Sequence, residues 1–268
     1  MLSFLIRPLK VGQLFGIPFR VVPAVVLLTL LVIARAAGSE EGRVGWTALL
    51  FALLGFSLVA HELAHALLAR RFGLRVLDIT VGPLGGMARM EGMSNRPQIE
   101  GPVALAGPAA NLALAGCALV LPAGHATTAL FWINLLLGLC NLAPAFPLDG
   151  GRILRAWLAR NSPLPDATRA ALSVGNTIAL GTLIAGFLGG WFLLALVLTI
   201  YVGWMGRMEL LQAILIGGGV PTLTPWEVFR RAIKTPQKQD HTEASGHKDL
   251  ERFHGSMREF FKKRNNSD

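Results

Sequence analysis

Six stretches of this 268-residue chain are long, apolar and nearly free of charge: residues 21–37, 46–69, 102–121, 128–145, 171–187 and 191–216. Hydrocarbon offers backbone N–H and C=O groups no partners, so segments of this kind must bond to themselves, as helices. The expectation is an all-α polytopic membrane protein of about six transmembrane helices, with a core over 1–217 and a basic cytoplasmic tail over 218–268. Composition agrees, since only 15% of residues are charged against roughly 25% in soluble domains. The net charge of +9 sits mostly at the ends of apolar runs and in the tail, which excludes a nucleic-acid surface and fits lipid-facing topology instead. Cys117 and Cys140 both fall inside apolar runs, so a disulfide scaffold is not expected.

The basic residues set the orientation. Arg7, Lys10 and Arg20 precede the first run, Arg70, Arg71 and Arg75 follow the second, and Arg152, Arg155 and Arg160 follow the fourth. The connectors at 122–126 and 188–190 hold no Lys or Arg. Six spans with both termini in the cytoplasm satisfy all of this. Residues 1–20, punctuated by Pro8, Gly12, Gly16 and Pro18, read as short strands or an interfacial segment. Ala34-Arg35-Ala36 also fits a cleavable signal, but the region before the first run is far longer than a usual n-region. After the second run, Val76–Val81 alternates and is β-branched, residues 82–86 signal a turn, and Met87–Met90 can pair back. This predicts a small membrane-associated β-hairpin beside protein or a wet cavity, with an ordinary cytoplasmic loop hairpin as the alternative. In the tail, Thr224-Pro225-Trp226-Glu227 is a capping box with proline at N1, and Trp226, Phe229 and Ile233 at helical spacing predict a basic interfacial helix. Leu250, Phe253, Met257 and Phe260 repeat that spacing.

The second run carries His61-Glu62-Leu63-Ala64-His65. Histidines four apart share one helix face and can reach a single metal ion, and a glutamate beside the first can take a proton from water there. The motif is short and occurs by chance on soluble helices. Ionisable groups at membrane depth are costly, however, and residues 46–58 before it carry no charge. Two imidazoles leave a catalytic zinc one protein ligand short. Runs two and four enter the membrane from the same side, and His65 and Asp149 lie five and three residues before the arginines Arg70 and Arg152. The topology therefore brings them to similar depth. Pro144 and Pro147 break the helix just before Asp149 and free its carboxylate to turn toward the metal. A plain ion pair between Asp149 and Arg152 is the alternative role.

HELAH followed by NLAPAFPLDGGR resembles the site-2 protease family of intramembrane zinc metalloproteases. GPLGG after the second run, GPAAN in the third and FGIPFRV before the first match the family as well. The resemblance covers nearly all of 13–217. It implies one Zn2+ per chain held by His61, His65 and Asp149, with Glu62 as catalytic acid/base. It places Asn141, Asn111, Gly85 and Gly86 on the substrate side, Asn141 binding substrate or stabilising the oxyanion. Asn141 could equally bridge helices, and Asn111 could satisfy broken backbone in its Gly-Pro turn. The partners implied are the lipid bilayer and a transmembrane protein substrate, such as a membrane-anchored transcriptional regulator or a signal-peptide remnant, in a prokaryotic cell membrane. A transmembrane helix must unwind before its carbonyls can be attacked, so Gly, Pro or Asn near the cut is expected, with the freed segment captured along the strand edge at 76–90.

Two rivals compete with this. One is a membrane zinc protease whose third ligand is a later glutamate, though Glu91 and Glu100 fall in expected connectors. The other is an inactive scaffold or metal-ion carrier, which would need ligands but no base at Glu62.

Overall fold

The computed structural model describes residues 7–37, 43–82, 85–91, 93, 96–217 and 224–233. The chain runs β1 (Leu9–Leu14), β2 (Ile17–Val21), α1 (Pro23–Ala37), α2 (Arg43–Arg71), β3 (Val76–Gly82), β4 (Gly85–Met90), α3 (Pro97–Val120), α4 (His125–Asn141), α5 (Asp149–Leu158), α6 (Leu164–Leu188), α7 (Phe192–Gly217) and α8 (Pro225–Ile233).

Each of the six apolar runs forms a helix, but among the described residues only α2, α3, α6 and α7 are long and apolar enough to cross a membrane. With 15 and 17 residues, α1 and α4 reach about 22 and 26 Å at 1.5 Å per residue, short of a hydrocarbon core of about 30 Å. Proline sets one limit: Pro23 opens α1, and the Pro144–Pro147 segment ends α4 at Asn141 rather than at the expected 145. The outward faces remain apolar, with Leu31, Leu193 and Leu215 exposed.

The structure is mostly helical, and beside the helices lies a four-stranded sheet of order β1-β2-β3-β4, larger than the single hairpin expected. The predicted hairpin β3–β4 is present as an antiparallel pair, and β1–β2 forms a second. β2 and β3 pair in parallel, with Phe19 opposite Ile79 and Val21 opposite Val81, after a crossover through α1 and α2. Ile17 and Ile79 seat the sheet on Ala66 of α2, a small residue that lets strand and helix approach. On the sheet's polar side Asp78 is fully buried and accepts from Arg89 Nε at 2.8 Å, with Arg20 at 3.3 Å.

Three boundaries differ from the sequence expectation. Residues 149–158, which lie beyond the fourth apolar run and in none of the expected helices, form α5, packed against α3 and α6. α6 begins at Leu164, with Pro165 in its first turn, and α3 begins at Pro97. Glu100 therefore lies on a helix and not in a connector. α8 forms as its capping box requires: Glu227 N–H donates to Thr224 Oγ1 at 3.3 Å and Thr224 N–H to Glu227 at 2.8 Å. Its inward residue is Val228, which joins Phe146, Leu158, Ala167, Ala170 and Ala171 in a core cluster, while Trp226 and Ile233 of the expected face are exposed. The helix predicted around Leu250–Phe260 lies outside the described residues.

Candidate metal centre

The buried end of α2 carries His61, Glu62 and His65, each less than a tenth exposed. Asp149, the first residue of α5, meets them from the other side. His61 Nε2 lies 3.0 Å and His65 Nε2 3.2 Å from the same oxygen, Asp149 Oδ2, and the two Nε2 atoms are 3.1 Å apart. The chain thus brings together the three residues expected to hold a metal.

The donor set fits a cation. His61 Nδ1 sits 2.5 Å from Asn111 Oδ1 and His65 Nδ1 2.6 Å from the Val103 carbonyl, so both rings donate from Nδ1. In the neutral rings Nε2 then carries only a lone pair, and three such acceptors converge. Ligands about 2.0–2.1 Å from a tetrahedral zinc lie about 3.3 Å from one another, close to the spacings found here.

Close backbone approach builds the rest of the pocket. A Cβ at Gly107 would fall 2.2 Å from His65 Nε2 and 2.6 Å from His61 Nε2, so only glycine lets α3 pass this near the centre. A Cβ at Gly86 would fall 2.3 Å from Glu62 Cγ, which sets edge strand β4 directly against the Glu62 side chain. Gly85 has open space around it but a φ of +120°, a conformation that disfavours any side chain. A Cβ at Gly150 would fall 2.2 Å from the Leu142 carbonyl, and one at Gly151 2.8 Å from Ala145 C. The glycines after Asp149 therefore let α5 start hard against the 142–148 loop and hold the carboxylate in place.

Asn111, expected on the substrate side, instead holds His61. Asn141 ends α4 with Nδ2 donating 2.8 Å to the Leu137 carbonyl of its own helix. Asp149 faces the imidazoles, while Arg152 pairs with Glu209 at 3.5 Å.

Several contributors were not singled out in the sequence: Ser57, Asn134 and an ion cluster centred on the buried Arg155. In that cluster Arg155 of α5 bonds Glu100 of α3 and, at 2.7 Å, Glu209 of α7. Burial works against the Arg155 cation, but the two glutamates outweigh it and hold its pKa above the ordinary arginine value. A signal existed for two of the polar members, because Asn134 and Glu209 are polar groups set within apolar runs.

With this geometry in view, the comparisons define the class. Peptidase family M50 matches residues 49–124 and 122–185, just over half of the chain, which includes both histidines and Asp149. The chain belongs to this family, that of the site-2 proteases. A Synechocystis protein provisionally named a zinc metalloprotease is 39% identical over 224 residues, 72% of this chain and 59% of its own length. A zinc metalloprotease of Methanocaldococcus jannaschii is 31% identical over 204 residues, 73% of this chain and 59% of its own. The solved site-2 protease from the same archaeon superposes with a TM-score of 0.57 at 28% identity, over 76% of this chain and 95% of that one. This chain matches less than three fifths of the length of those two curated relatives.

Proposed function

We propose that this protein is an intramembrane zinc metalloprotease, which hydrolyses a peptide bond within the transmembrane segment of a membrane-anchored substrate. The observation that carries the reading is the convergence of His61 Nε2, His65 Nε2 and Asp149 Oδ2 within 3.2 Å, beside a buried glutamate. These three residues would hold one Zn2+, whose chemistry is Lewis-acid activation of water near neutral pH. Glu62 takes the proton of the attacking water and returns it to the leaving amine. Asn141, freed from its intrahelical bond by rotation about its side chain, stabilises the oxyanion at the scissile carbonyl. β4 is an edge strand beside Glu62, so its unpaired backbone, with Gly85 and Gly86 at the near end, captures the unwound substrate by strand addition.

The substrate is a transmembrane protein with Gly, Pro or Asn near the cut, of the kind found in membrane-anchored regulators or signal-peptide remnants. The setting is a prokaryotic cell membrane with both termini cytoplasmic and α1 and α4 completing six spans, the short helices accommodated by local thinning. A third ligand from a later glutamate has little support. Glu100 is taken by Arg155, and Glu91 is an exposed partner of Arg75 at 3.9 Å.

Replacing Glu62 by Gln separates the peptidase from a scaffold or carrier. We expect cleavage of a membrane-anchored substrate to fall about 10²–10⁴-fold while zinc stays near one per chain. Undiminished cleavage would remove the assigned mechanism.

A further inference from the structure

Ser57 on α2, Asn111 on α3 and Asn134 on α4 are each fully buried, and they form a single hydrogen-bonded line that ends at His61. The polarity of this line is fixed at its outer end by main-chain carbonyls, which can only accept. Ser57 Oγ donates to the Leu53 carbonyl at 2.8 Å and so has a lone pair to offer. Asn134 Nδ2 lies 2.9 Å from that Oγ and 2.9 Å from the Leu130 carbonyl, which sets its nitrogen on this side and its oxygen on the other. Asn111 Nδ2 then donates to Asn134 Oδ1 at 2.8 Å and to the Ser57 carbonyl at 3.3 Å. Only Asn111 Oδ1 is left to face His61 Nδ1, at 2.5 Å. An acceptor there demands a proton on Nδ1, and a neutral ring with that proton bares Nε2.

We propose that Ser57, Asn134 and Asn111 are positioning residues that lock the tautomer and rotation of His61, so that its Nε2 is presented as a lone pair. This inference rests on the metal reading of the centre. Simple helix-to-helix glue would equally join α2, α3 and α4, but it would not require an oxygen aimed at a ligand. The two histidines differ here. His65 is oriented by one main-chain oxygen that cannot turn over, whereas His61 depends on an amide that can. Without Asn134 Oδ1, only the longer bond to the Ser57 carbonyl at 3.3 Å still opposes an amide flip that points Asn111 Nδ2 at His61, so the flipped form gains population. The ring then takes its proton on Nε2, and that ligand is lost.

The test uses the purified full chain in detergent, with zinc affinity read by competition against a chromophoric chelator and histidine tautomers read by nitrogen NMR. Asn134→Leu should weaken zinc binding about 10–100-fold, and His61 should lose its Nδ1–H form while His65 keeps its own. Ser57→Ala should give a smaller loss, about threefold or more, and Ser57→Thr, which keeps the hydroxyl, should restore it. Zinc affinity within twofold of wild type in Asn134→Leu, or equal disturbance of both histidines, would overturn the proposal. If Asn134→Leu fails to assemble, the serine pair decides, and identical affinities for the Ala and Thr variants overturn it. A wild-type chain that binds no zinc would sink the metal reading itself, whereas binding indifferent to Asn134 sinks only the positioning role.

Discussion

Two buried polar networks flank the centre, and they are built on opposite principles. The line from Ser57 through Asn134 and Asn111 is neutral, and each amide group in it finds a partner. The cluster of Glu100, Arg152, Arg155 and Glu209 is charged, and among the described residues it leaves Glu100 Oε2 and Arg152 Nε with no hydrogen-bond partner. Amides carry donor and acceptor on one plane, so a line of them has a direction and can dictate a tautomer. Carboxylates only accept and guanidinium groups only donate, so the ionic cluster clamps elements together without steering a proton. The two networks reach different members of the His61, His65 and Asp149 group. The neutral line reaches His61, while the ionic one holds α5, whose first residue is Asp149. Arg155 also lies 5.1 Å over the ring of Phe146, in the loop that leads to Asp149.

The largest effect should come from breaking the clamp. Arg155→Met strands Glu100, which is fully buried, and should cost about 3–5 kcal/mol in thermal unfolding. Adding Glu100→Gln to that change should recover part of the loss; a loss under about 1 kcal/mol from the single variant would erase the contrast. Ser57→Ala, at the outer end of the neutral line, should cost less stability, about 1–3 kcal/mol, because Asn134 Nδ2 keeps the Leu130 carbonyl. The smallest effect belongs to the sheet. Hydrogen bonds from Arg89 outweigh burial and hold the Asp78 carboxyl below its usual range. A depressed folded pKa gives stability that is present above the unfolded value of about 3.9 and is lost as pH falls through the folded one. Arg89 is half exposed and screened, so Asp78→Asn should remove under about 1 kcal/mol of this acid dependence, seen as a flatter unfolding profile below pH 4.

Much of the site was legible because its signals are local. Histidines four apart on a helix share a face wherever that helix sits, and the prolines before Asp149 end α4 whatever packs on it. The strands at 76–90 announced themselves through β-branched alternation. α5 was harder to see, since Gly150 and Gly151 are poor helix formers and its amphipathic face makes sense only against α3 and α6. The parallel joining of β2 to β3 was equally hidden, because it links segments far apart in sequence.

By itself, then, the sequence determined which apolar segments are helical, which residues can bind a metal, and that Glu62 lies beside them. Those properties follow from hydropathy and from a 3.6-residue period, and both act within a few turns. The tertiary structure alone decided that Asn111 faces His61, that Asn134 and Ser57 stand behind it, and that Glu100 belongs to Arg155. Which polar group meets which depends on the depth and rotation of one helix against another, and no single segment encodes those.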